Sequence, residues 1–226
     1  MKRFWTEARA EAGQVLLDGK PVRTPKRNTL ALPTEALARA VAAEWSAVGE
    51  DLDPRALPLT GLANAAIDIV APDPAAFAAT LAQYGECDLL AYRAETPPSL
   101  VARQEAEWDP LLTWVRARYD VHVEVVAGIM HRPQPHATVT RLSEAVAARS
   151  VFELAALSPI VTIGGSLITG LALVERAFEA DRIWSAVNLD ELWQEELWGA
   201  DELALHARTA RRREWDSAVR FLMLLE

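Results

Sequence analysis

The amino-acid sequence predicts an α+β protein in which a small α/β or β-rich N-terminal domain is joined to a larger helical one. The dipeptide Asp18-Gly19, set between short apolar segments, is a strong signal for a two-residue β-hairpin turn. From Leu100 onward, apolar residues recur at the spacing of amphipathic helices. We therefore expect an N-terminal domain of residues 1–85 and a C-terminal helical domain of residues 86–226.

The N-terminal domain is predicted to begin with short strands and to continue with helices. Apolar segments and turn residues favour strands at residues 4–8, 14–17, 20–24 and 28–32. A helix is predicted to start at Pro33-Thr34. Its apolar residues recur on one face, at Leu37, Val41, Trp45 and Val48.

The C-terminal domain is predicted to be helical except for one strand. Valine alternates with polar residues over Val121–Val125, which indicates a half-buried strand. Ser150 and Glu153 have the spacing of a capping box at a helix start. The uncharged stretch Leu154–Val174 is long enough to span a bilayer, but Ser158-Pro159 and several glycines interrupt it. We expect a buried helix beginning at Ser158 and no stable membrane insertion.

Charge and composition exclude several classes of function. The 226 residues include 23 Lys and Arg against 32 Asp and Glu, a net charge of −9, which argues against non-specific nucleic-acid binding. The single cysteine, Cys87, excludes an internal disulfide framework and fits a reducing compartment. With four histidines and no second cysteine, we expect no metal site. The absence of a secretory signal in the sequence favours the cytoplasm.

The C-terminal end combines carboxylates with tryptophan, which is unusual in a chain with eight tryptophans among 16 aromatic residues. The last two helices are predicted at about 181–198 and 201–225. Tryptophans ringed by polar groups are typical anchors of protein interfaces. The candidate partner-binding residues are Glu191, Trp193, Glu195, Trp198, Asp201 and Glu202.

Other interpretations of this end remain open. Glu191 and Glu195 are four residues apart and share a helix face, so they could serve as paired carboxylates in a carboxylate- or metal-dependent hydrolase. They could also form an ordinary solvated face. The arginines of the last helix, Arg208 and 211–213, either are solvated or clamp the acidic helix across Gly199, since a short link favours antiparallel neighbours.

Several motifs occur together along nearly the whole chain. They are Arg3-Phe4-Trp5, Leu17-Asp18-Gly19-Lys20-Pro21-Val22-Arg23-Thr24-Pro25, Leu30-Ala31-Leu32-Pro33, Glu44-Trp45, Leu57-Pro58-Leu59-Thr60-Gly61-Leu62-Ala63-Asn64-Ala65-Ala66-Ile67-Asp68, Asp88-Leu89-Leu90-Ala91-Tyr92-Arg93-Ala94, Gln104, Trp108-Asp109-Pro110-Leu111-Leu112-Thr113-Trp114, Leu189-Asp190-Glu191, Trp193-Gln194, Glu196 and Trp198-Gly199. In this order they resemble the ATP synthase assembly chaperones that bind the α subunit of the F-type catalytic head, which include ATP synthase mitochondrial assembly factor two. Gly61 and Ala91 depart from the pattern, where a larger or polar residue is expected.

The resemblance implies a chaperone and not an enzyme. It implies an N-terminal α/β domain with antiparallel strands and a larger orthogonal helical bundle. Its members bind the free α subunit and shield the surface that later contacts β, until β replaces them, without cofactor or metal. The expected protein is cytoplasmic (matrix in organellar relatives) and monomeric when free. The family's essential acidic position has four candidates here, Glu191, Glu195, Asp201 and Glu202. A general holdase without a preferred client is the blander alternative.

Overall fold

A computed structural model describes residues 2–226, which contain ten α-helices and five short strands. The α+β class predicted from the sequence is confirmed. The chain divides into two compact units. Unit 1 combines the chain up to Pro74 with Ser150–Ala156 and Glu214–Glu226, and unit 2 holds Ala75–Arg149 and Leu157–Arg213. The sequence-based boundary between residues 85 and 86 refers to domains that fold independently, which these compact units do not test, so it stays a prediction.

Unit 1 contains a small antiparallel sheet and two complete helices. The strands pair in the order β1 (Ala8–Glu11), β2 (Gln14–Leu17) and β3 (Lys20–Pro21). The helices are α1 (Glu35–Ala47) and α2 (Pro58–Ala65). Thr34 caps α1, as predicted, by accepting a hydrogen bond from the Leu37 N–H.

The predicted hairpin at Asp18-Gly19 is confirmed. Both residues have positive φ, 47° and 78°, as the favoured two-residue hairpin turn requires. The strand predicted at residues 4–8 is displaced, because β1 starts at Ala8. The Arg3 guanidinium donates to the carbonyls of Trp5 and Thr6, which are therefore engaged by a side chain and not by a strand ladder.

The strands predicted at residues 20–24 and 28–32 are shorter than expected. β3 ends at Pro21, and the second segment makes isolated bridges, Thr29 with Arg23 and Ala31 with Gln14. The buried carboxylate of Asp68 accounts for the turn between them. It accepts hydrogen bonds from the Thr24 hydroxyl at 2.7 Å, the Lys26 N–H at 2.9 Å and the Asn28 amide at 2.8 Å. Burial alone would raise the pKa of Asp68, but these hydrogen bonds outweigh it and lower the pKa.

Glu44 holds the start of α2 in a similar way. Its carboxylate accepts from the Leu59 N–H at 2.7 Å and from the Thr60 N–H at 2.9 Å, and the Thr60 hydroxyl donates at 2.8 Å. The first N–H groups of a helix have no partner within the helix, and a carboxylate there also interacts favourably with the helix dipole. One side chain of α1 thus fixes the start of α2.

Unit 2 is mainly helical. Its strands, β4 (Tyr92–Arg93) and β5 (Val126–Ala127), form a two-residue parallel pair. The helices that lie wholly or partly in unit 2 are α3 (Pro74–Ala82), α4 (Pro98–Tyr119), α5 (His136–Ala147), α6 (Val151–Gly164), α7 (Leu167–Val174), α8 (Ala180–Val187), α9 (Leu189–Trp198) and α10 (Glu202–Met223).

The strand predicted at residues 121–125 is wrong, and the burial it implied is right for Val121 and Val123 but wrong for Val125, which is exposed. Val121 and Val123 are buried. Their neighbours bond to side chains, since the His122 N–H donates to the Thr138 hydroxyl and the Glu124 N–H to the Gln134 amide oxygen. Two polar side chains from later in the chain therefore replace a strand partner.

The uncharged stretch also folds differently from the prediction. The capping box is confirmed, because Ser150 and Glu153 exchange hydrogen bonds between side chain and main chain. α6 begins there and runs through Pro159, so a helix start at Ser158 is wrong. The break comes at Gly165 and Ser166, which caps α7. Within residues 2–226, no single helix is both long and apolar enough to cross a membrane; the pair Pro58–Val70 and Pro74–Ala91 meets that test as a bent pair, by length and composition.

Three motif residues build a buried polar network in unit 2. Arg93 lies over the Trp108 ring, 4.9 Å from its centroid, and donates to the carbonyl of Gln104 at 2.6 Å. The Gln104 amide accepts from the Ala94 N–H and donates to Asp190 at 2.7 Å. The indole N–H of Trp108 donates to the Ala186 carbonyl at 2.8 Å. These residues therefore hold the start of α9 in place.

Asp88 is a buried carboxylate at the start of α7. One oxygen accepts from the Leu90 N–H at 3.0 Å and the other from the Ile168 N–H at 3.0 Å. Desolvation by burial raises the pKa of Asp88 to about 6, although the N–H donors oppose the shift.

The raised pKa of Asp88 predicts an unusual pH dependence of stability. Its favourable contribution is complete below the ordinary value of 3.8 and is lost as pH rises through about 6. The free energy of unfolding of the native chain, measured relative to that of Asp88→Asn, should therefore fall by about 2 kcal/mol between pH 4 and 7. Urea unfolding of both proteins across that range measures it, and a difference independent of pH would contradict the assignment.

Candidate functional site

The predicted acidic end forms a helical corner from α9, a short link and α10. Gly199 allows the turn, with a φ of +87°. Glu195 pairs with Arg208, and Glu191 pairs with Arg211 at 2.5 Å and with Arg208 at 3.6 Å. Because the earlier glutamate pairs with the later arginine, the two helices are antiparallel here. Of the two alternatives for these arginines, the structure shows the clamp across Gly199.

The opposite side of α9 is fixed by α4. Arg103 makes a bidentate pair with Glu196, at 2.6 and 2.9 Å. Its guanidinium also lies 5.9 Å from the ring centroid of Trp193, which is half-buried. Trp193, a predicted site residue, is therefore partly covered by Arg103.

Apolar side chains point outward at the corner. Trp198 is 77% exposed and Leu203 is 80% exposed, and Leu197 and Leu205 are exposed beside them in sequence. Buried tryptophans are common in this chain, as Trp108 and Trp215 show, so an exposed one is informative. Exposed apolar groups rimmed by polar ones mark interaction sites.

A cleft of about 440 Å³ lies at this corner, and we call it the corner cleft. Its lining includes four predicted residues, Glu191, Glu195, Trp198 and Asp201. Asp201 caps α10 by accepting from the Ala204 N–H at 2.8 Å. The corner cleft therefore combines an exposed indole, neutralised ion pairs and a helix cap.

The remaining predicted residues lie outside the cleft lining. Glu202 is exposed in the first turn of α10, next to Asp201. Trp193 does not line the cleft. Trp184, which sequence proximity groups with Trp193 and Trp198, is buried at 8% exposure, with Arg212 over its ring. The sequence prediction did not include Leu203 and Leu205, which are exposed. Their spacing could have indicated this, because two apolar residues two positions apart do not share one helical face and cannot both face the same buried surface.

The geometry does not support the hydrolase hypothesis. Glu191 and Glu195 are ion-paired with arginines and are not free to act as an acid and a base. Among residues 2–226, no group of three or more His, Cys, Asp or Glu side chains is placed to hold a metal ion. What the corner offers is surface for binding.

Comparisons with known proteins show the family to which the chain belongs. The family model of the ATP12 chaperone protein matches residues 2–116. The crystal structure of Atp12 from Paracoccus denitrificans is 41% identical, with a TM-score of 0.93, and the match covers 100% of this chain and 98% of that one. An aspartate-to-lysine mutant of the same protein gives the same values. A candidate chaperone from Agrobacterium tumefaciens is 36% identical, with a TM-score of 0.94, covering 100% of this chain and 86% of that one.

The family match and the likeness to solved chaperone structures over the whole chain define a protein of the chaperone class, one that acts in ATP synthase assembly. The chain belongs to the ATP12 chaperone family. The family match ends at residue 116, before the corner begins, so the function of the corner rests on its own geometry.

The ion pairs predict how the corner is held. Residues 201–207 of α10 are all exposed, so Arg208 is the main anchor of its first two turns. Loss of a partly buried ion pair should lower the free energy of local opening by about 1–2 kcal/mol. Arg208→Gln should therefore raise the amide hydrogen-exchange rates of these two turns roughly tenfold. Arg220→Gln, an exposed arginine later in α10, is the matched control. Unchanged exchange in Arg208→Gln would show that other contacts hold this segment.

Proposed function

We propose that this protein binds the free α subunit of the F-type ATP synthase and shields the surface that will contact β until β replaces it. Two findings support the proposal. The chain belongs to a chaperone family of ATP synthase assembly, and its sequence motifs resemble the members that bind α. An assembly intermediate with an uncovered apolar interface is prone to aggregate, and a protein that covers it prevents this.

The observation that carries the proposal is the exposure of Trp198 beside Asp201 and Glu202. A tryptophan at this exposure is available to fill a pocket of a partner. The acidic residues at the start of α10 form a polar rim, which contributes specificity and association rate more than affinity. Glu191 and Glu195 contribute indirectly, because their ion pairs with arginines of α10 hold α9 and α10 together at the corner.

Release requires no chemical step. A client leaves its chaperone when another subunit binds the same surface more tightly, because displacement follows differential affinity. The protein then needs neither nucleotide nor cofactor and acts as a binding protein, monomeric when free and in the cytoplasm.

The proposal predicts selective capture. Full-length protein mixed with separately purified subunits should bind free α, and added β should displace it. Size-exclusion chromatography of each mixture measures this. Equal capture of α and β, or equal suppression of aggregation for unrelated proteins, would replace the proposal with a general holdase.

Variants at the corner separate recognition from folding. Trp198→Ala should weaken α binding at least about 30-fold, the effect of one interface hot spot. Glu202→Lys should mainly slow association and weaken its dependence on salt. The matched controls are Ile69→Ala, another exposed apolar residue, and Glu214→Lys, an exposed glutamate later in α10; both should stay within about twofold of the native protein. Full α binding by Trp198→Ala would remove the corner from the interface.

A further inference from the structure

Unit 1 contains a second cleft, of about 290 Å³, that the corner and its proposed function do not use. We call it the Trp45 cleft. It lies where the end of α1, the start of α2 and two loops meet. Its walls are mostly apolar, and the residues that bear on the inference are Val22, Arg23, Trp45, Leu57, Gly61 and Asn64. Its volume is at the small end of ligand sites, with room for one side chain and one small polar group.

Two residues that line this cleft each carry a buried polar atom with unsatisfied hydrogen-bonding capacity. Within residues 2–226, the indole Nε1 of Trp45 and the amide Oδ1 of Asn64 are buried side-chain atoms without a hydrogen-bond partner. Trp45 as a whole is 9% exposed. Leaving a buried donor or acceptor unpaired costs about 1–3 kcal/mol each, so their occurrence together in one cleft calls for an explanation.

The Trp45 ring is held in place by its neighbour. Trp5 packs edge-on against it with 5.1 Å between ring centroids. The indole N–H of Trp5 donates to the Trp45 carbonyl at 3.3 Å. Trp45 also follows Glu44, whose carboxylate fixes the start of α2, the helix that carries Asn64. The unpaired donor and the unpaired acceptor therefore stand on two helices that are tied together.

We propose that the Trp45 cleft binds one peptide unit of a polypeptide segment together with the adjoining apolar side chain. A main-chain peptide unit carries one carbonyl acceptor and one N–H donor, which complement the Trp45 N–H and the Asn64 oxygen. A hydrocarbon chain would satisfy neither atom. The apolar walls take the side chain next to that peptide unit.

Charge at the mouth of the cleft selects among segments. Arg23 is exposed on the lining, and the hydrogen bond described for its guanidinium goes to the Arg27 carbonyl at 3.2 Å. No carboxylate lines the cleft. The segment that fits best therefore has an acidic residue beside its apolar one. The site lies in unit 1 and does not depend on the proposed α-subunit function.

Gly61 makes the cleft testable without disturbing the fold. It lies on α2 in the cleft lining, and a Cβ at this position would meet nothing within 4 Å. Because a Cβ here meets open space, a larger side chain can extend into the cleft and occupy it. Gly49, which is also exposed and has open space around its Cβ, lies outside the lining and provides the matched control.

The test follows the indole N–H signals of the full-length protein by two-dimensional NMR during titration with N-isopentylacetamide, which has one peptide-like amide and a leucine-like chain. The Trp45 signal, assigned by its loss in Trp45→Phe, should shift saturably. Isopentyl acetate, which lacks the N–H, should bind about fivefold more weakly. Gly61→Leu should abolish the shift, and Gly49→Leu should keep it. The other indole signals report that each variant is folded.

The charge preference is tested with two capped dipeptides, N-acetyl-Leu-Asp-amide and N-acetyl-Leu-Asn-amide. The aspartate peptide should bind more tightly, and Arg23→Gln should remove the difference. An unmoved Trp45 signal, an equal shift in Gly61→Leu, or equal binding of amide and ester would overturn the proposal; the first result would mean that water satisfies the two atoms.

Discussion

The structure depends on one constraint: the main-chain N–H groups at the ends of short helices and strands each need a hydrogen-bond acceptor. Strands of two to four residues and helices of eight leave a large share of these groups outside regular ladders. Glu44, Asp68 and Asp88 provide such partners. Each carboxylate accepts a hydrogen bond from a main-chain N–H group that is distant in the sequence. The effect on the carboxylate differs: the pKa of Asp68 is lowered, whereas fuller burial raises the pKa of Asp88. Acidic residues in this chain are therefore as much a part of the scaffold as of the surface.

Local signals predicted the fold where a few adjacent residues decide it. The Asp18-Gly19 turn and the Ser150–Glu153 capping box need no distant partner, and both are confirmed. Prediction failed where distant side chains decide. The N–H groups of His122 and Glu124 are taken by Thr138 and Gln134, so an alternating pattern did not become a strand.

The candidate site was predictable to the same extent. The short link at Gly199 predicted antiparallel helices and left open whether the later arginines are solvated or clamp the acidic helix, and the ion pairs of Glu191 and Glu195 decide for the clamp. Sequence proximity could not tell an exposed tryptophan from a buried one, because Trp184 and Trp198 differ in what α8 and α9 pack against. The pairing also changes what the net charge of −9 means, because three acidic groups of α9, Glu191, Glu195 and Glu196, are already neutralised by arginine. The recognition that we propose at the corner therefore rests on Trp198 and on the acids at the start of α10.

The discontinuity of unit 1 has a consequence for the order in which the protein can be built. Residues 214–226 contribute Trp215 and Phe221 to its interior, Phe221 stacks on Phe152, and the Thr34 hydroxyl that caps α1 donates to the Leu224 carbonyl. A ribosome releases these residues long after those of the small sheet. The N-terminal part of unit 1, up to Pro74, must therefore wait for residues 214–226 before its interior is closed. During that interval an assembly factor is itself an unfinished protein that exposes apolar surface.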